Sequence, residues 1–250
     1  MGTHSLKTKH ITALVKYWRT VPSKHTNNLI STGTIKNRMA ALRWWADKIG
    51  KPGIIPKDNA ALGIPNRQRL SDHNKAFTVT EYQLKNLPAH LNISVRLQQE
   101  FGLRREEAAK FIPAIAIKED CIKLKSSWTK GGKKRSIPIT TIEQRELLAE
   151  MKTLKQNDSL IPAGMSYEKY ISHRDHHLAK VNIRQAHGLR YYYAQQRYIT
   201  LSKGLVPPKL CKGDKVILTK QEVALDFSAR TIVSKEMGHE RLEITVLYLG

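Results

Sequence analysis

Between Pro113 and Thr141 the chain leaves helical periodicity for a period of two. Cys121-Ile-Lys-Leu-Lys125 and Ser136-Ile-Pro-Ile139 alternate around Gly131-Gly132, the pattern of two short strands joined as an antiparallel hairpin. From Thr141 the helical pattern returns. The expected fold is therefore mainly α with one small antiparallel β-sheet, an α+β class.

The clearest early helix spans Ile35 to Ile49, where Ile35, Met39, Leu42, Ala46 and Ile49 recur at helical spacing, Thr34 can cap the start, and Gly50 before Lys51-Pro52 ends it. Lys36 and Arg43 fall away from that stripe, and Trp44 and Trp45 flank it and read as core. A poorer helix covers Ile11 to Trp18, and Pro52 to Asn66 reads as short helices and turns. Residues 1–75 thus form a small helical bundle, with Arg67 to Lys75 as the linker. The capping-box pattern Thr78-Val-Thr-Glu81 opens a second domain, 76–250. There a helix over Leu91 to Phe101 ends at Gly102, and a new one starts at Arg105 with Glu106 and Glu107 in its first turn. Arg104 sits at the tight junction. Residues 201–225, with Pro207-Pro208, read as an inserted loop or small hairpin.

Lys and Arg number 43 against 21 Asp and Glu, a net charge of +22, and residues 1–75 hold 14 basic and 3 acidic side chains. So one-sided an excess points to a polyanion, and nucleic acid is the first candidate. No apolar run approaches membrane-spanning length and the N-terminus lacks a secretory signal, so a cytoplasmic protein with no membrane partner is expected. Cys121 and Cys211 stand alone, which argues against a disulfide framework or a thiolate zinc site. The His173, Asp175, His176 and His177 group reads as surface, and no metal is expected.

Taken singly, the remaining polar landmarks are weak. Lys130, beside Lys133, Lys134 and Arg135, suits a charged turn. His187 and Arg190 suit a structural pair, and Tyr248 suits packing on a last helix behind Gly238-His239. Together they supply the parts of metal-free phosphoryl transfer. Two guanidinium forks can hold the non-bridging oxygens of a phosphodiester under attack. A tyrosine hydroxyl, with an ordinary pKa near ~10, needs a histidine and a positive field to become a nucleophile. The departing sugar oxygen needs a proton donor such as lysine.

Four boxes carry these residues in order. Phe101-Gly-Leu-Arg104-Arg-Glu-Glu107, Thr129-Lys130-Gly-Gly-Lys-Lys-Arg135-Ser-Ile-Pro138, His187-Gly-Leu-Arg190, and Met237-Gly-His239 with Tyr248 nine residues on resemble the boxes of the tyrosine recombinases, the phage-integrase family. The resemblance covers residues from about 78 to 250. It implies a catalytic domain at 76–250 and, at 1–75, the family's helical core-binding domain. It implies Tyr248 as nucleophile forming a 3′-phosphotyrosine, Arg104 and Arg190 holding the scissile phosphate with His239, Lys130 as general acid, and His187 moving the tyrosine proton. Glu107 would orient Arg104 or His187. DNA contacts would come from Lys36, Arg38, Arg43, Arg105, Lys133, Lys134 and Arg135. The implied reaction is site-specific cutting and rejoining of double-stranded DNA with no cofactor, by a homotetramer on paired sites, with an accessory directionality factor as a further partner.

The chain departs from the pattern in the 49-residue interval between Arg190 and His239, longer than is usual, and in having two residues after Tyr248, where the family commonly continues into a tail. Competing readings are a type IB topoisomerase-like relaxing enzyme, a catalytically decayed DNA-binding accessory protein and, more remotely, a metal-dependent nuclease.

Overall fold

The structure, a computed structural model, describes residues 5–22, 27–66, 73–153, 159–211, 217–239 and 241–250. The chain divides into two compact units, Met1–Arg69 and Leu70–Gly250.

In the smaller unit, helices α1 (Thr8–Thr20) and α2 (Thr32–Lys48) are followed by single 3-10 turns at Pro52–Ile54 and Ala60–Leu62. Ile11 and Val15 of α1 pack with Ile35, Met39 and Ala46 of α2, and Ile55 and Ile64 close the core. Each of these Ile, Val and Met side chains, fully removed from water, contributes about 1.5–3 kcal/mol. Ser31, not Thr34, caps α2: its Oγ accepts the Thr34 N–H, and the helix begins a turn earlier than the apolar stripe requires.

Successive residues advance by about 100° round a helix, which decides the fate of two α2 side chains. Trp44 lies opposite the Ile35–Met39–Ala46 stripe and is 65% exposed, against the expectation of core; only Trp45 packs on the cluster. Arg43 lies beside the stripe, close enough to turn inward.

The larger unit opens with α3 (Glu81–Lys85) and α4 (Ala89–Glu100), then the short α5 (Arg105–Ala109) and α6 (Pro113–Ala116). The hairpin β1 (Cys121–Leu124) and β2 (Arg135–Pro138) follows, and helices α7 (Ile142–Thr153), α8 (Tyr167–Lys180), α9 (Gly188–Leu201), α10 (Lys220–Glu236) and α11 (Leu242–Leu249) complete it. The capping box at its start is Thr80 with Gln83, two residues later than expected. The strands pair antiparallel, Ile122 opposite Ile137 and Leu124 opposite Arg135.

Helix α4 is apolar on two faces and lies between two core clusters. Ile93 and Leu97 join Phe101, Phe111, Ile122, Ile137, Tyr198 and Val233 on one side. Leu91 and Val95 join Tyr170, Leu178 and Leu189 on the other. The ends of α4, α9 and α10 are thereby brought together, and with them the junctions that carry three of the four boxes; the remaining one lies on the hairpin.

Two expected boundaries shift. The expected linker runs through Lys75, but Asn74 exchanges hydrogen bonds of 3.2 and 2.8 Å with Gln195 of α9 and belongs to the larger unit. The insertion expected over 201–225 narrows at both ends. Leu201 closes α9, and Lys220 onward forms α10, capped by a Thr219–Glu222 box. Between them the described residues hold a 3-10 turn, Pro208–Leu210, and no strand. Among the described residues no helix is long and apolar enough to cross a membrane.

Candidate active site

Glu107 is the hub of the site. Its residue is completely buried, in the first turn of α5, and its carboxylate accepts four hydrogen bonds: from the Arg104 backbone N–H (2.6 Å), Arg104 Nη1 (2.8 Å), Arg135 Nη1 (2.7 Å) and Arg135 Nη2 (2.6 Å). Arg190 Nη1 stands 3.9 Å away. Burial pushes the carboxyl up, but the bidentate Arg135 bond and charge, the Arg104 N–H and the Arg190 charge outweigh it and hold Glu107 at about 2. Three guanidiniums thus face one carboxylate, and the centre keeps a positive excess.

Arg104 is both the residue before α5 and a link to the far end of the chain, since its Nη2 donates to Gly238 O at 3.3 Å. Arg190, on the first turn of α9, is 1% exposed; it donates from Nη1 to Gly102 O and from Nη2 to Met237 O at 3.1 Å. Each terminal nitrogen carries a second N–H beyond these bonds. Burial, the first cause, and the neighbouring Arg104 push Arg190 down to about 10, with Tyr248 and Glu107 opposing. It remains a cation at neutral pH.

Glycine fixes two of the junctions. Gly188 opens α9, and a Cβ there would lie 2.4 Å from Lys75 O and 2.5 Å from the Phe77 ring, so the 75–77 segment can close over the start of α9 beside His187. Gly238, at φ +68°, turns the chain from α10 toward His239; a Cβ there would stand 2.8 Å from Arg135 Nη1 and 3.2 Å from Arg104 Nη1.

Tyr248 lies on α11, 6% exposed, with its ring 4.4 Å from Tyr191, 5.2 Å from His239 and 6.0 Å from His187. Its hydroxyl is 3.2 Å from His187 Nε2, and Gln195 Nε2 donates to its carbonyl at 3.0 Å. His239 Nδ1 is 3.4 Å from Thr245 Oγ1 on the same helix. The His187 residue keeps solvent access, with its ring edge-on to Tyr191 at 5.8 Å and tilted against Tyr248. Burial and the positive charges of Arg190, Arg104 and Lys75 push it down to about 4. Burial and the charges of Arg190, Arg104 and Arg135 push His239 to about 3. Both rings are neutral at pH 7, so His187 can accept a proton from the phenol it faces.

Lys130, exposed on the turn between the strands, lines an open cavity of about 900 Å³ with Arg104, Arg105 and His187. Lys133 and Lys134 lie exposed on the same turn. The structure therefore gathers Arg104, Glu107, His187, Arg190, His239 and Tyr248, with Lys130 at the rim. Among the described residues no group of three or more His, Cys, Asp or Glu side chains is placed to hold a metal ion.

Two residues expected at a DNA surface have other partners. Arg135 was read with the turn charges, but β2 begins with it, and the alternation that buries Ile137 also turns Arg135 inward, leaving its side chain 7% exposed on Glu107. Arg43 donates from Nε to Pro56 O and from Nη2 to Asn59 Oδ1, both at 2.9 Å, tying α2 to the turns after it. Lys36 reaches Asn66 Oδ1 at 3.4 Å, and Arg38 is exposed with its guanidinium 5.1 Å above the Trp18 ring. Gln195, Tyr191 and Thr245, which hold or cover Tyr248 and His239, had no distinguishing signal in the sequence.

The Integrase family profile matches residues 66–196, just over half of the chain. Among solved structures the chain is similar to lambda integrase (75-356), a dimer bound to a COC′ core site, at 15% identity, covering 100% of this chain and 82% of that one with a TM-score of 0.62. It is similar to the Tn1549 transposon integrase (aa 82-397) in complex with circular intermediate DNA, at 13% identity, 98% and 81% coverage and a TM-score of 0.56. It is also similar to the XerH site-specific recombinase bound to difH substrate in a pre-cleavage complex, at 14% identity, 100% and 68% coverage and a TM-score of 0.53. At such identities these likenesses show the fold. No curated protein matches the chain. The family match, the fold and the converging boxes agree, and the chain belongs to the integrase family, the tyrosine recombinases.

Proposed function

We propose that this chain cleaves and rejoins double-stranded DNA at specific sites through a 3′-phosphotyrosine on Tyr248. The observation that carries the reading is the neutral His187 ring 3.2 Å from the Tyr248 hydroxyl, beside a cluster of guanidiniums with a positive excess.

Tyr248 Oη attacks the phosphorus as its proton passes to His187 Nε2. The P–O5′ bond breaks, and the departing oxygen takes a proton from Lys130 at the cavity rim. Arg104 and Arg190 hold the non-bridging oxygens with His239, and the charge developing there is what their N–H groups stabilise. Glu107 moves no proton; it fixes the guanidiniums. The bond energy is kept in the phosphotyrosine, so the reaction calls on no metal ion or nucleotide, and attack by a 5′-hydroxyl reverses it. When that hydroxyl belongs to a second duplex, recombination results. We place this activity in the cytoplasm, on a homotetramer spanning two sites, open to an accessory factor that sets direction. The smaller unit serves as the core-binding domain, with Lys36 and Arg38 as phosphate contacts. The DNA bound in the similar structures supports DNA as the substrate class.

The test uses a library of nicked duplexes with randomised arms, incubated in EDTA without nucleotide. Wild type is expected to leave a denaturation-resistant protein–DNA adduct, and Arg104→Ala and Arg190→Ala to keep binding while losing the adduct. Equal loss of binding and cleavage in both variants would reduce these arginines to anchors.

A further inference from the structure

Arg135 is the best-held cation of the site, yet it faces no open surface. A carboxylate offers about four acceptor positions, and all four on Glu107 are taken, two by Arg104 and two by Arg135. Arg135 comes from β2 and Arg104 from the α4–α5 junction, so the carboxylate joins the hairpin to the first box. Both guanidiniums also lie beside Gly238, in the space a Cβ there would need. Buried Arg135 Nε has no acceptor among the described residues. A buried donor left without an acceptor is a net cost to folding, one that an apolar side chain would avoid.

We propose that Arg135 is a positioning residue of the strand-transfer centre: it occupies and neutralises Glu107, leaving the Arg104 guanidinium correctly aimed and its charge available to the scissile phosphate, and it does not itself contact DNA. The inference rests on the reading of Arg104 as a phosphate ligand. Without Arg135 the buried carboxylate has two empty acceptor positions and a full charge. The groups left to satisfy it are Arg104, already bonded, and Arg190, 3.9 Å away. Glu107 would then draw both guanidiniums toward itself, in competition with the phosphate. The effect belongs to the chemical step, since a displacement of about 1 Å in a catalytic group can cost ~10²-fold in rate.

The experiment compares wild type, Arg135→Gln, Arg135→Lys, Glu107→Gln and the Arg135→Gln/Glu107→Gln double variant on a captured nicked duplex. It measures single-turnover cleavage at saturating DNA, the Kd and its salt dependence, with thermal melts reporting the folded fraction. Arg135→Gln is expected to cleave about 100-fold more slowly with a Kd within about twofold of wild type and an unchanged salt slope. Arg135→Lys should recover part of the rate. The double variant should cleave faster than Arg135→Gln alone, because the carboxylate that captures Arg104 has become an amide.

A weaker Kd with a salt slope reduced by about one would make Arg135 a phosphate contact and overturn the proposal. A double variant slower than both singles would also overturn it, showing that Arg135 does not act through Glu107. Should Arg135→Gln fail to fold, Arg135→Lys decides: a slowed chemical step with unchanged Kd supports the role, and a wild-type rate removes it. Absence of any wild-type adduct sinks the functional reading instead, whereas a wild-type adduct matched in rate by Arg135→Gln sinks this inference alone.

Discussion

Replacing Gly238 by alanine tests whether the turn after α10 and the two arginines beside it are one built unit. At φ +68° an L-residue is strained by about 1–2 kcal/mol. The added methyl would stand 2.8 Å from Arg135 Nη1 and 3.2 Å from Arg104 Nη1. Neither atom is a loose end. Arg135 is fixed bidentate to Glu107 and Arg104 is bonded to both Glu107 and Gly238 O, so relief requires breaking a buried ion pair or moving the turn. Overpacking of this kind adds about 1–3 kcal/mol, and the total loss should be about 2–5 kcal/mol. Urea unfolding at pH 7 measures it, and single-turnover cleavage should fall while DNA affinity holds. A loss under about 0.5 kcal/mol with unchanged cleavage would refute the reasoning, because a surface turn tolerates that much.

Stability should fall with acid in two stages. His187 and His239 are held at about 4 and about 3 against an ordinary 6.5, so below pH 6.5 the unfolded chain binds protons that the folded chain refuses. Stability drops from pH 6.5 toward 3, by roughly 5 kcal/mol, most of it from His239, since the share of the solvent-accessible His187 is heavily screened. Glu107 contributes stability that is fully present above its unfolded value of 4.5 and is lost as pH falls through about 2. Urea midpoints against pH check this: His187→Gln/His239→Gln should flatten the curve between pH 6.5 and 4.5, and an unaltered slope would contradict it. In the smaller unit, Arg43→Ala should cost about 1–2 kcal/mol by breaking two partly buried hydrogen bonds, with DNA affinity little changed. Arg38→Ala should do the reverse, keeping the melt and reducing the salt slope of binding by about one.

What the sequence made legible depended on how local each determinant was. The hairpin, the α4 to Gly102 junction and the order of the boxes follow from short patterns, and all are found at or within a few residues of the expected positions. Capping residues were harder to choose, because Ser31 and Thr34, or Thr78 and Thr80, are chemically alike and tertiary packing selects between them. Trp44 looked like core because it is large and apolar, yet its angular position on α2 sends it to solvent. Arg43 and Arg135 looked like surface because arginines usually are, and their partners are distant in sequence: Pro56 and Asn59 for one, Glu107 for the other. Extending the strand alternation one residue back from Ser136 would have turned Arg135 inward. Nothing in the pattern announced Gln195 or Tyr191, whose roles arise where α9 meets α11.

The most direct measurement is the chemistry of the DNA adduct itself. Wild type and Tyr248→Phe are incubated with a nicked duplex bearing a captured site, denatured, digested and analysed by mass spectrometry for a nucleotide-bearing peptide. We expect one modified peptide, with the phosphate on Tyr248 and a 3′ linkage to the DNA, and none from the variant. A modified peptide of undiminished yield from Tyr248→Phe, or attachment at any other residue of the wild type, would contradict the account.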